Sequence, residues 1–253
     1  MNLPTLPLRA AARLFAAFVF AACLAAFAPA ARAVEIQVEI LTDSLAQPPA
    51  PLSNVCTLRK AVNNANDNDI SYPQCQGGEA GPVVDTIVFN VPGTITFALA
   101  GAGEDGGETG DLDVTDNLTI IGHADGTTID AADFDRIFHV HPGVTLTLVN
   151  IHITNGRGNG GGGGVRVEAG ATLNLDRVTI SSCYAAGEDG GGIENNGGTL
   201  HINNSTISGN SAASSTSTPA SPSRSSTFTS PTATRTPAGA ASTSRARRST
   251  STA

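Results

Sequence analysis

The chain has 253 residues, with 14 Lys or Arg against 22 Asp or Glu and a formal charge of −8. All 22 acids but only six of the bases fall within residues 34–213, a balance of 6 − 22 = −16, which excludes a nucleic-acid partner for want of a basic face. Such an acidic surface suits solubility and divalent cations, and the lack of Trp, with only two Tyr, argues against flat aromatic platforms for sugars.

Residues 1–33 read as a signal peptide. Arg9 and Arg13 precede an apolar run over 14–27, and Ala31-Arg32-Ala33 supplies the small residues that place cleavage after Ala33. That run is shorter than the roughly 20 residues needed to span a bilayer, so the mature chain is expected to carry no transmembrane segment. The expected destination is extracellular or the cell surface, association with an outer membrane included. A lipoprotein site at Cys23 is disfavoured by Phe20 before it and the apolar residues after it.

From Val34 the chain alternates as VEIQVEIL, the period-two pattern of a half-exposed strand. A loop with Pro48, Pro49 and Pro51 follows. Leu58, Ala61, Val62 and Ala65 then share one helical stripe, which predicts a helix over 57–66. A lone amphipathic helix ahead of a repeat array would cap the first coil and block edge-to-edge pairing. Residues 34–82 are read as this cap. Removing the leader leaves Cys56, Cys75 and Cys183 in an oxidising compartment. Cys56 and Cys75 flank a polar loop and are expected to pair. Cys183 is then a buried free thiol or the partner of another chain.

Residues 84–100 read as two short strands about a Pro-Gly turn, and 101–116 as a glycine-rich acidic loop. Further strands are expected over 117–122, 127–131 and 136–141. Three segments then superimpose at a constant spacing of 27 residues: GVTLTLVNIHITNG (143–156), GATLNLDRVTISSC (170–183) and GGTLHINNSTISGN (197–210). A period in the twenties with short β-type runs and glycine turns marks a solenoid. Four columns are expected to point inward: Leu146/Leu173/Leu200, Leu148/Leu175/Ile202, Ile151/Val178/Ser205 and Ile153/Ile180/Ile207, with a two-residue corner between two strands of each coil. The fold class is therefore all-β, a right-handed parallel β-helix over 83–213 with an N-terminal capping helix. The glycine runs near 158–164 and 190–192 are placed between coils, where the chain turns or passes close to another strand. A phosphate-cradling loop would need a following helix and a lysine, and neither is present.

After Ala213 the composition changes abruptly. Residues 214–253 hold 12 Ser, 10 Thr and five Arg but no acid, and the periodicity stops. Such a segment is expected to be disordered, as a Ser/Thr/Pro stalk or as the product of a reading-frame slip that ends the repeat in mid-coil.

The segment CTLRKAVNNAN (56–66) resembles the N-terminal domain named for its CSLREA motif, with Thr57 for the usual Ser and Lys60-Ala61 for the usual Glu-Ala. Cys75 with Gly77 and Gly78, DTIVFNVPGTI (85–95), GDLDVTDNLTIIG (110–122) and DRIFHV (135–140) extend the likeness across 35–213. The GGG(I/V) and SGN pieces resemble repeats of polymorphic outer-membrane proteins and autotransporter passengers. The resemblance implies a secreted or surface-attached bacterial right-handed β-helix.

Several side chains are candidates for chemistry. Asp105, Asp111 and Asp113, with Glu104, Glu108 and Asp116, are Ca²⁺ candidates, although their spacing matches no EF-hand loop and solvated turns have the same composition. No other cofactor is expected. His139 and His141 fall on one side of a strand, with His152 a coil region later, as a metal set or as surface histidines. A polysaccharide lyase or hydrolase would need calcium and a base or a carboxylate pair. Arg166, Arg177, Glu168, Asp176, Asp189 and Glu194 are scattered along the coils, and a strict 27-residue alignment sets Glu168 against Asn195, so no outward cluster is expected. The sequence reading is thus a secreted or cell-surface module with a structural or adhesive role and an unknown surface ligand, protein or glycan. The alternatives are a carbohydrate-active β-helix enzyme, pectate-lyase-like or a glycoside hydrolase, and a truncated fragment without function.

Overall fold

The computed structural model describes residues 34–46, 54–80, 83–186 and 190–212; the leader 1–33 and the tail 214–253 lie outside these residues. Among them the chain forms 18 strands and one helix. The first strand, β1 (Glu35–Val38), is followed by helix α1 (Leu58–Asp67). Two coils of irregular length come next: β2 (Asp85–Phe89), β3 (Gly93–Thr96) and β4 (Leu112–Val114), then β5 (Leu118–Ile121), β6 (Thr127–Asp130) and β7 (Phe138–Val140). The regular coils are β8 (Thr145–Val149), β9 (His152–Thr154), β10 (Arg157–Asn159) and β11 (Val165–Val167), then β12 (Thr172–Asp176), β13 (Thr179–Ser181), β14 (Tyr184–Ala186) and β15 (Ile193–Asn195). The last described coil holds β16 (Thr199–Asn203), β17 (Thr206–Ser208) and β18 (Ser211–Ala212).

Each strand pairs with its counterpart one coil away, always in parallel. The stacks are a six-stranded sheet β1-β2-β5-β8-β12-β16, a five-stranded sheet β3-β6-β9-β13-β17, a four-stranded sheet β4-β7-β11-β15 and a short sheet β10-β14-β18. This is a right-handed parallel β-helix of about four turns. Because β1 opens the six-stranded sheet, the N-terminal segment shares one core with the coils it caps.

The 27-residue period is the spacing of the regular coils: Thr145, Thr172 and Thr199 are paired neighbours, as are Ile153, Ile180 and Ile207. Leu146, Leu148, Ile153, Leu173, Leu175 and Ile180 are buried, with Ile151 and Val178 beside them. Leu200, Ile202 and Ile207 are only partly buried, and no further coil follows them among the described residues. Ser205 takes its place in an aliphatic column without penalty: its hydroxyl accepts from Val178 N at 2.9 Å and donates to Asn203 O at 2.7 Å. The corner between the two long strands of each coil is made by Asn150, Arg177 and Asn204, also 27 apart, with φ of 56°, 55° and 49°. That left-handed conformation favours Asn over Arg.

The glycine runs do more than separate coils. Gly158 lies within β10, and Gly164 sits where a Cβ would come within 2.5 Å of Gly192 O on the next coil. At these two positions a Cβ would collide with nearby backbone, so only glycine fits.

Helix α1 covers the N-terminal rim. Thr57 caps it, its hydroxyl accepting from Lys60 N, and Leu58, Ala61, Val62 and Ala65 enter the core. Its polar side is equally specific. Asn66 donates to Asp113 O at 2.7 Å and accepts from Thr115 N at 3.0 Å, so one amide replaces the missing strand neighbour of β4. Arg59 is buried, and all five of its N–H groups are used, on the Asp43 carboxylate and on the carbonyls of Gly107, Gly110 and Asp111. Its guanidinium also lies 5.0 Å from the centre of the Phe97 ring. Cys56 and Cys75 form the expected disulfide across a separation of 19 residues, a closure worth about 3 kcal/mol in the chain-entropy model. Asn64 staples the same loop, donating to the carbonyls of Tyr72 and Gln76.

Candidate functional site

The four-stranded sheet carries the site on its outer surface. Strand alternation turns Leu112, Val114, Phe138, Val140, Val165 and Val167 inward, so the residues between them face out. Pairing then superimposes Asp113, His139, Arg166 and Glu194 in one row. His141 and Glu168 fall one step along, beyond Val140 and Val167. The expectation that the coil charges stay apart is overturned here. The pairing of β11 with β15 sets Arg166 against Glu194 and Val167 against Asn195, an offset of 28 and not 27. Glu168 therefore falls level with Asn196, not Asn195. The extra residue is taken up between β13 and β15 and recovered before β16, so the strict repeat hid the charged row.

The acidic segment 101–116 is not wholly a loop. Its end forms β4, and its beginning folds back over β4 under the grip of Arg59. This buries the outer face as well as the inner one, so all three residues of β4 are buried. The Asp113 carboxylate is fully enclosed. One oxygen accepts from Gly107 N at 3.0 Å; the other faces His141 Nε2 at 2.9 Å and His139 Nδ1 at 3.2 Å. The second ring nitrogen of His139 lies 3.2 Å from Glu168, which Arg166 holds at 2.7 Å. Asp105, exposed at the tip of the acidic segment, brings a carboxylate oxygen within 3.7 Å of His139 Nδ1.

The electrostatics follow from this crowding. Burial alone would raise the Asp113 carboxyl, but hydrogen bonds with His139 and His141 outweigh it and hold the group below its ordinary value. Burial likewise opposes charge on His139, yet Asp113 and Glu168 raise its affinity for a proton. Glu168 is lowered: burial pushes it up, and His139 and Arg166 overcome that. Asp111 behaves differently. Burial, then the charges of Asp113 and Asp135, push it up to about 7, with partial relief from Arg136.

Of the three Ca²⁺ candidates, the structure joins Asp105 and Asp113 to the two histidines. Asp111 is left out of that set and instead lies 3.6 Å from Arg136. His152 sits on the five-stranded sheet against Ser181, away from the other histidines. Arg177 and Asp176 pair with each other at a corner, and Asp189 lies outside the described residues. Cys183 is a buried free thiol, and burial pushes its pKa up to about 11. Beside the acidic segment a cavity of about 550 Å³ opens between α1 and the coils, lined by Asn63, Asn66, Tyr72, Asp105, Glu108 and Thr115. Among the described residues no helix is long and apolar enough to cross a membrane.

Fold and site together define a disulfide-bonded parallel β-helix with a histidine–carboxylate row on one face. Comparison with family models, curated proteins and solved structures gives no match to the chain.

Proposed function

We propose that this protein is an exported, cell-surface β-helix module that serves a structural or adhesive role by presenting its strand faces to a surface ligand, protein or glycan. The observation that carries the reading is the register of the six-stranded sheet. It stacks Thr145, Thr172 and Thr199 in one outward rank and Thr147, Asn174 and His201 in another, with Asn174 donating to Thr147 across coils at 3.0 Å. A strip made mainly of hydroxyl and amide groups, with the His201 imidazole at its end, repeats at the strand spacing of about 4.8 Å and offers a rigid, polar surface. Export is supported by the leader-like segment 1–33 and by the Cys56–Cys75 disulfide. The likeness of 56–66 to the CSLREA motif supports the same assignment, and Arg59 within it has a structural role in the cap.

A second reading, a carbohydrate-active β-helix enzyme, draws on the row Asp113, His139, Glu168 and Arg166, which gathers acids and a base on one face of the solenoid. One pair of assays separates the two. The full chain is incubated with polyuronides and neutral glycans, with and without Ca²⁺, and its retention on cell envelopes is measured in parallel. Retention without new reducing or unsaturated ends, reduced by Thr172→Glu with Asn174→Glu at unchanged Tm, is the expected result. Release of such ends establishes the enzyme in place of the module.

A further inference from the structure

We infer that Asp105, Asp113, His139 and His141 form a binding site for one divalent transition-metal ion of the zinc class. Each offers one donor atom, and the four atoms lie within 4.8 Å of one another. Tetrahedral zinc with bonds of about 2.0–2.2 Å sets its donors roughly 3.3–3.6 Å apart. The contacts of 2.9, 3.2 and 3.7 Å among His141, Asp113, His139 and Asp105 straddle that spacing. A shift of Asp105, which sits exposed on its loop, completes the set.

The surroundings point the same way. A metal-bound imidazole needs its second nitrogen anchored by an acceptor, which fixes the ring and increases its donor strength. His139 has that arrangement: Nδ1 faces the cluster, Nε2 faces Glu168, and Glu168 is fixed in turn by Arg166. The unused lone pairs of Asp113 are also committed, since its far oxygen accepts from Gly107 N. Two imidazoles beside two carboxylates favour zinc-class ions over calcium, which takes six to eight oxygen donors. Four protein donors make a closed site, so the ion would act as a staple that holds the acidic segment against the four-stranded sheet. The cavity opens beside Asp105, the exposed member of the set. This inference does not depend on the surface-module reading.

The test uses the full chain, freed of metal by chelation and titrated with Zn²⁺ by calorimetry, then with Co²⁺ by visible absorption. One equivalent of Zn²⁺ is expected to bind, with a tetrahedral Co²⁺ spectrum and a raised Tm. His141→Ala should weaken binding at least 100-fold, and Glu168→Gln about 10-fold through the His139 anchor. Asp105→Asn, on an exposed loop, tests the site without threatening the fold, and His152→Ala is the control that leaves binding intact. Absence of saturable uptake by the folded chain overturns the inference, as does uptake that the Asp105 and His141 variants leave unchanged. Ca²⁺ binding as tight as that of Zn²⁺ and indifferent to His141→Ala overturns the choice of metal.

Discussion

The two ends of this solenoid are held together in different ways. Between residues 143 and 212 successive coils repeat every 27 residues, and aliphatic columns fill the interior. Between 34 and 141 the offsets along the six-stranded sheet are uneven, 33 residues from Asp85 to Leu118 and 28 from Leu118 to Leu146. There the same apolar interior is overlaid by a second layer of buried polar groups: Arg59 with Asp43, Asn64 with the disulfide loop, and Asp113 with two histidines. Regular coils bury their apolar faces against their neighbours and need little else. On the four-stranded sheet β4 has no preceding strand among the described residues, so that rim and the long insertion beside it are satisfied by side chains. The insertion is also what brings Asp105 over the outer face, so the candidate site exists because the repeat is broken there.

The contrast can be broken most severely at Arg59. Arg59→Met leaves Asp43 buried with its charge unmatched and frees three carbonyls of the acidic segment, and is expected to cost about 3–5 kcal/mol in urea denaturation. Adding Asp43→Asn should recover part of the loss, and full additivity of the two changes would contradict the pairing. Next come the columns. Leu173→Ala, between two covered coils, should lose about 2–5 kcal/mol. The same change at Leu200, half-buried on the last described coil, should lose only about 1–2 kcal/mol. Equal losses at the two positions would show that residues beyond 212 complete the stack.

The smallest effect has the opposite sign. Arg177 holds a left-handed backbone where the equivalent corners of the neighbouring coils have Asn. Arg177→Asn should stabilise the chain by roughly 1 kcal/mol, since its exposed pair with Asp176 contributes little. A fall in Tm would mean that the corner depends on the arginine.

The sequence by itself determined the solenoid, the inward columns, the Cys56–Cys75 pair and a helix, expected over 57–66 and found at Leu58–Asp67. Each is written in local spacing: side chains 27 apart superimpose, apolar residues at helical intervals share a stripe, and two cysteines flank one polar loop. The alternation of His139 and His141 was visible in the same way. Only the tertiary structure decided what faces them. Asp113 lies 26 residues before His139, Asp105 reaches it from a loop with no periodicity, and Arg166 meets Glu194 at an offset one residue longer than the repeat. Whether two charges touch across coils depends on register, register depends on the length of every intervening turn, and turns of different length look alike in composition. The interior could be read because burial is periodic, whereas the site required knowing where an irregular segment lands.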